Sequence, residues 1–197
     1  MKQAKLLSVL AASLCLLCGC GNIHAADVYT VSVDPYKPLN EEDIRFGECS
    51  IQFGDEVSVN GQGAWYKDKD ILISEGGIYT ISGSYSGGCI NITTTDAVKL
   101  IFSNADISNP DGYAVISDAE KLILTCDGTS CLTGCGGDMS NAVYSDGIVL
   151  ITGLGDMCID GGIFSKGGIR FGREVSAACE IMCTDDGDII PGVFNIN

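Results

Sequence analysis

A formal charge of −15 over 197 residues, with 26 acidic against 11 basic side chains, excludes nucleic acid as a partner and gives an anionic bilayer surface nothing to hold. Neutral glycans and bivalent cations stay compatible with that charge. Gly occurs 26 times and Pro 4 times, and no stretch after the first residues carries apolar side chains at helical spacing, so a doubly wound α/β fold is excluded as well.

Lys2 and Lys5 precede an apolar run from Leu6 to Leu17 that holds no acidic residue, the pattern of a signal peptide. The run is too short for a membrane span, which needs ~20 residues. It ends in Leu17, Cys18, Gly19 and Cys20, which resembles the lipobox of bacterial lipoproteins. That resemblance implies a signal and lipobox over residues 1–20, lipidation at Cys20, and an extracytoplasmic protein held to the cell membrane by its acyl chains. Two or more chains anchor stably, whereas one is marginal. The alternative is cleavage after Ala25 or Ala26 and free secretion. Residues 21–50 contain Pro35 and Pro38 and none of the periodicity that follows, so they read as a tether or wrapping segment.

From Ile51 onward the pattern is strand, turn, strand. Lys99 to Phe102, Lys121 to Leu124 and Ile148 to Ile151 are short apolar runs bounded by Gly, Asp, Asn or Ser. Three series emerge when they are aligned. The first begins near Val98, Lys121, Ile148 and Ile169; the second holds Ile107, Leu132, Ile159 and Ile181; the third holds Ile90, Val115, Val143 and Ile163. Each advances by 20 to 28 residues, and the three interleave in constant order. Such a repeat predicts an all-β fold over residues 51–197, a three-faced parallel β-helix of about 4–5 coils, because one coil cannot bury its apolar edge alone. Alternation points Leu100, Phe102, Leu122, Leu124, Val149, Ile151, Ile169 and Phe171 inward. Val115, Val143 and Ile163 follow them, with Ser117, Ser145 and Ser165 at the next corner. Ile101, Ile123, Leu150 and Arg170 point outward, an apolar stripe that requires a cover, either the tether or a second copy of the chain.

Eight of the 11 cysteines lie beyond Cys20. Their spacings, such as Cys126, Cys131, Cys135 and Cys179, Cys183, lack the paired gaps of zinc ribbons. They read as compact thiols within strands, with disulfides as the alternative.

Val59 to Gly63, Gly77 to Gly83 and Gly88 to Ile92, then Ala142 to Asp146, Gly153 to Gly155 and Gly162 to Lys166, resemble as an ordered set the bacterial carbohydrate-binding domain-containing protein family. The resemblance spans roughly residues 51 to 187. It implies a right-handed parallel β-helix of pectate-lyase-like architecture that binds polysaccharide, with calcium as a companion ion. Gly167 and Gly168 stand where that family usually has an acidic pair after the Ser-Lys step.

The residues themselves offer two sites. Asp111, Asp138 and Asp160 fall at one corner of successive coils, with Asn109, Asn141 and Asp156 near them. Stacked carboxylates suit Ca²⁺, and turn geometry alone is the other account of Asp and Asn there. A sugar face needs flat apolar platforms beside polar groups, and the outward row Ile116, Tyr144, Phe164 supplies one, with Trp65, Tyr66, Tyr85 and Tyr113 as further candidates. For catalysis little is present. His24 is the only histidine and lies in the tether, so no imidazole serves a nucleophile. Lyase chemistry would fall to Lys166, Arg170 or Arg173 as base, and Asp185, Asp186 and Asp188 are the densest carboxylates. The expectation is a non-catalytic polysaccharide-binding protein of the cell surface. A polysaccharide lyase is the second reading, and an adhesin that self-associates through its first face is the third.

Overall fold

A computed structural model describes residues 48–138, 140–172, 175 and 181–196. The signal peptide, Cys20, His24, Cys179 and Arg173 lie outside them, as does the tether up to residue 47. Sixteen strands and no helix make up the described residues, all joined in one sheet. The chain is a β-solenoid of about three turns.

In chain order the strands are β1 (Glu48–Gln52), β2 (Ser58–Asn60), β3 (Ala64–Lys67), β4 (Asp70–Ile73), β5 (Gly77–Ser86), β6 (Ile90–Ile92), β7 (Val98–Asn109) and β8 (Val115–Ser117). They continue with β9 (Lys121–Asp127), β10 (Thr129–Gly134), β11 (Val143–Ser145), β12 (Ile148–Gly153), β13 (Asp156–Ser165), β14 (Ile169–Phe171), β15 (Met182–Thr184) and β16 (Gly187–Ile196). One run of parallel pairings passes through β1, β5, β7, β9, β12 and β14. A second joins the later halves of β5 and β7 to β10 and the start of β13. The third joins β4, β6, β8, β11 and the end of β13. Parallel pairing of this kind lets each residue stand over its counterpart one coil away, at ~4.8 Å.

The core is a column of such stacks. Tyr79, Leu100, Leu124 and Ile151 form one, Val98, Leu122 and Val149 another, and Ile90, Val115, Val143 and Ile163 a third, all essentially without solvent exposure. Burial of Tyr79 raises its hydroxyl to about 12, with Cys49 and Glu75 adding to the rise. The hydroxyl donates to the Glu75 carbonyl at 2.7 Å. Ser117, Ser145 and Ser165 stack in register at the following corner and are wholly buried. The bend within β7 falls on Asn104, in the left-handed region at φ 53. One coil below, Gly83 has φ 85, and a side chain there would strike the Phe53 carbonyl.

β7, β9, β12 and β14 begin at the four residues of the first series. Within the ladder Val98 stands beside Leu122 and Ile169 beside Val149, an offset of one residue at the two ends. The inward assignments survive because alternation within each strand, not the alignment, sets them. Ile181 does not continue the second series: Phe194 pairs with Ile159 instead. After β14 the chain turns back as the β15–β16 hairpin, and β16 runs antiparallel along all of β13. Among the described residues β1 pairs in register with β5 from Glu48. On the outward side of the first run, Ile123 and Leu150 are only 6% and 5% exposed within a single chain. The described cysteines are unbridged; Cys49 and Cys126 are buried, and Cys135 and Cys183 are exposed.

Candidate functional site

The third run of pairings presents its alternate residues to solvent. β8, β11 and the end of β13 each read apolar, then Ile, Tyr or Phe, then Ser. The first and last of these positions are buried and the middle one is half exposed. Register puts Ile116 beside Tyr144 and Tyr144 beside Phe164. The Tyr144 and Phe164 rings stack with centroids 5.5 Å apart and planes 24° from parallel. Tyr113, from the turn that leads into β8, lies against Tyr144 with centroids 5.5 Å apart at 49°. Two features hold it there: its carbonyl accepts a hydrogen bond from the Asn109 amide at 2.8 Å, and Gly136 and Gly137 leave the room its ring occupies. A side chain at Gly136 would run into that ring. Desolvation raises the Tyr113 hydroxyl, helped by Tyr144 and by the charge of Asp138.

Beside the rings stands a polar group that sequence reasoning missed. The residues after the stacked serines are Asp118, Asp146 and Lys166, whose amides donate to Ile92, Ser117 and Ser145 one coil below, so the three stack as well. They lie two positions beyond Ile116, Tyr144 and Phe164 and therefore share their face. The Tyr144 hydroxyl donates to Asp146 Oδ1 at 2.8 Å, and Lys166 Nζ reaches the same oxygen at 2.6 Å. The ammonium also sits 5.5 Å from the centroid of the Tyr144 ring, within cation–π range. The Lys166 hydrogen bond, then that of Tyr144, holds the Asp146 carboxyl below the usual carboxylate range. Asp146 in turn raises Lys166. The spacing of an outward aromatic and an Asp two residues on was the available signal.

Trp65 lies further along the same row. It pairs with Leu72, Leu72 with Asn91, and Asn91 with Ile116. That places it four strand steps, ~19 Å, from Tyr144, with 44% of its surface exposed. The other two candidates belong elsewhere. Tyr66 pairs with the inward-facing Ile71 and meets Tyr85 edge-on at 6.3 Å. Tyr85 stacks on Phe53 at 4.5 Å and donates to the Lys69 carbonyl at 2.6 Å.

The acidic corner is divided. Asp111 and Asp138 occupy exposed turns after β7 and β10, but Asp160 pairs with Thr133, and Ser108 follows Thr133 in that ladder. Asp160 therefore stands on the second run rather than over Asp138. Asp156 pairs with Thr129, the Asn109 amide is used by Tyr113, and the buried Asn141 Oδ1 has no partner. Among the described residues no three His, Cys, Asp or Glu side chains gather as a metal-holding group. The catalytic candidates are equally scattered. Arg170 pairs with Leu150 on the first run, Lys166 is bound to Asp146, and Asp188 accepts the Ile169 amide at 2.9 Å. Asp185 and Asp186 sit exposed between β15 and β16.

The solenoid carries a half-exposed aromatic row beside hydrogen-bonding groups. A family model described as carbohydrate-binding domain-containing protein matches residues 67–190, more than half of the chain, and the chain belongs to that family. The match includes Tyr113, Tyr144 and Phe164 and begins after Trp65 and after the Val59 to Gly63 stretch. Neither a curated protein nor a solved structure matches the chain.

Proposed function

We propose that this protein is a non-catalytic polysaccharide-binding module, exported and lipid-anchored at Cys20, built as a right-handed, three-faced solenoid. Sugar rings stack on Tyr144 and Phe164, Tyr113 closes one side, and Trp65 meets a more distant sugar on the same row. The observation that carries the reading is the stacked pair of half-exposed rings, centroids 5.5 Å apart and planes 24° from parallel, flanked by the Tyr144–Asp146–Lys166 group. A pyranose presents axial C–H groups to such a ring while its hydroxyls find the flanking carboxylate and ammonium. A strand repeat of ~4.8 Å is close to the advance of one sugar in an extended chain, so a polysaccharide lying across the coils keeps pace with the row.

Calcium is a separate arm of the proposal, with Asp111 and Asp138 as the residues on hand and Asp160 apart from them. The test is a glycan panel probed with the full-length chain, with and without chelator. Retention of a polysaccharide that Tyr144→Ala loses supports the reading, and loss on chelation adds the calcium arm. A protein that retains no glycan, or one that shortens its polymer, overturns it.

A further inference from the structure

The charges around the aromatic row name the class of glycan. Resting on the carbohydrate-binding reading above, we infer that the Tyr144–Phe164 end of the row selects neutral polysaccharides and rejects polyuronates, because the cation that adjoins it among the described residues, Lys166, is already held by a carboxylate of the protein. Lys67, two residues beyond Trp65, lies at the far end of the row. On one edge Asp118, Asp146 and Lys166 stack in that order. Lys166 is bound to Asp146 at 2.6 Å, and the two charges cancel. A uronate seeking Lys166 would have to displace Asp146, which is tethered in place and also receives the Tyr144 hydroxyl. Asp118 stays on that edge as an exposed carboxylate.

The other edge is acidic too. Tyr113 sits over Gly136 and Gly137, beside the exposed Asp138, and Asp111 occupies the neighbouring exposed turn. The approach to the rings is thus negative on both sides, within a chain whose formal charge is −15. Like charges lining both flanks of a binding row disfavour each successive carboxylate of a polyanion, and they slow its encounter. Neutral sugars meet no such cost. Their hydroxyls donate to Asp146 or Asp118 and accept from Lys166 or Tyr144, while their apolar faces stack on the rings.

The experiment compares a soluble neutral β-glucan with polygalacturonate on the full-length chain at low salt, in chelator and in millimolar calcium. The β-glucan is expected to bind about tenfold more tightly or better. The double variant Asp118→Asn with Asp138→Asn should narrow the ratio several-fold, and high salt should narrow it in the wild type. Polygalacturonate binding as tightly as the β-glucan in chelator, or rising to parity in calcium, overturns the inference and leaves glycan binding standing. An unchanged ratio in the double variant overturns it too. If neither polymer binds, the carbohydrate-binding reading itself falls.

Discussion

Replacing Leu124 by Ala should cost this fold several kilocalories while Lys121→Glu, three residues earlier on the same strand, should cost almost none. Leu124 has no exposed surface and stands between Leu100 on the coil below and Ile151 on the coil above. Leu→Ala in a core costs about 2–5 kcal/mol, depending on how far the site collapses. Collapse is restricted here, because backbone hydrogen bonds fix the coils at ~4.8 Å and the neighbours above and below cannot move in. A cost clear of the lower end of the range follows, about 3–4 kcal/mol. At ~2–4 °C per kcal/mol for a domain of this size, the Tm falls by roughly 6–16 °C. Lys121 pairs with Ile148 on the outward side, and a charge reversal there should stay within about 0.5 kcal/mol. Differential scanning calorimetry of both variants decides the matter. Equal Tm values would place Leu124 outside the core and refute the register on which the rest depends.

Three further outcomes are expected, two from the structure and the third from the sequence around Cys20. The Asp146 carboxyl, held low chiefly by Lys166 and then by Tyr144, keeps its ion pair above about pH 4 and loses it as pH falls through the lowered value. Lys166→Met should move its titration in carbon NMR back up toward the ordinary range, and no movement would mean the ion pair is not formed in solution. Burial first, then Asp156 and Asp127, pushes the Cys126 thiol to about 11, and burial with Asp70 pushes Cys89 to about 12; near pH 8 both should resist iodoacetamide while the exposed Cys135 reacts. Equal labelling of Cys126 and Cys135 in the native protein would contradict this. Cys20→Ala should release the protein from membranes and abolish its labelling by fatty acid, and a variant that stays membrane-bound after a salt wash would refute lipid anchoring.

Most of the architecture was legible because a solenoid repeats its constraints. Val115, Val143 and Ile163 each sit two residues before a serine, and three copies of one pattern fix a register that a single copy would not. The aromatic pair Tyr144 and Phe164 followed from the same register. What failed was whatever the repeat does not govern. Ile181 has the right spacing for another coil, yet the Thr184–Gly187 turn sends the chain back, and an antiparallel strand satisfies the β13 edge as well as a parallel one would. Asp160 was grouped with Asp138 by sequence distance, but it lies inside β13 whereas Asp138 belongs to a turn, and strand register overrides spacing. The Tyr144–Asp146 half of the polar group follows an i, i+2 pattern, but the Lys166–Asp146 contact depends on side-chain reach between two coils, and no single-strand pattern encodes that.

The most direct test measures the affinity of Tyr144→Ala and Phe164→Ala for a polysaccharide that the wild type retains, beside Thr133→Ala on a different run of strands. All three should keep the wild-type far-ultraviolet spectrum, since none of the side chains is in the core. Stacking on the row predicts that each aromatic loss weakens binding by about tenfold or more, ~1.4 kcal/mol, while Thr133→Ala binds as the wild type does. Wild-type affinity in Tyr144→Ala, or an equal loss in Thr133→Ala, would place the glycan elsewhere on the molecule and contradict the account.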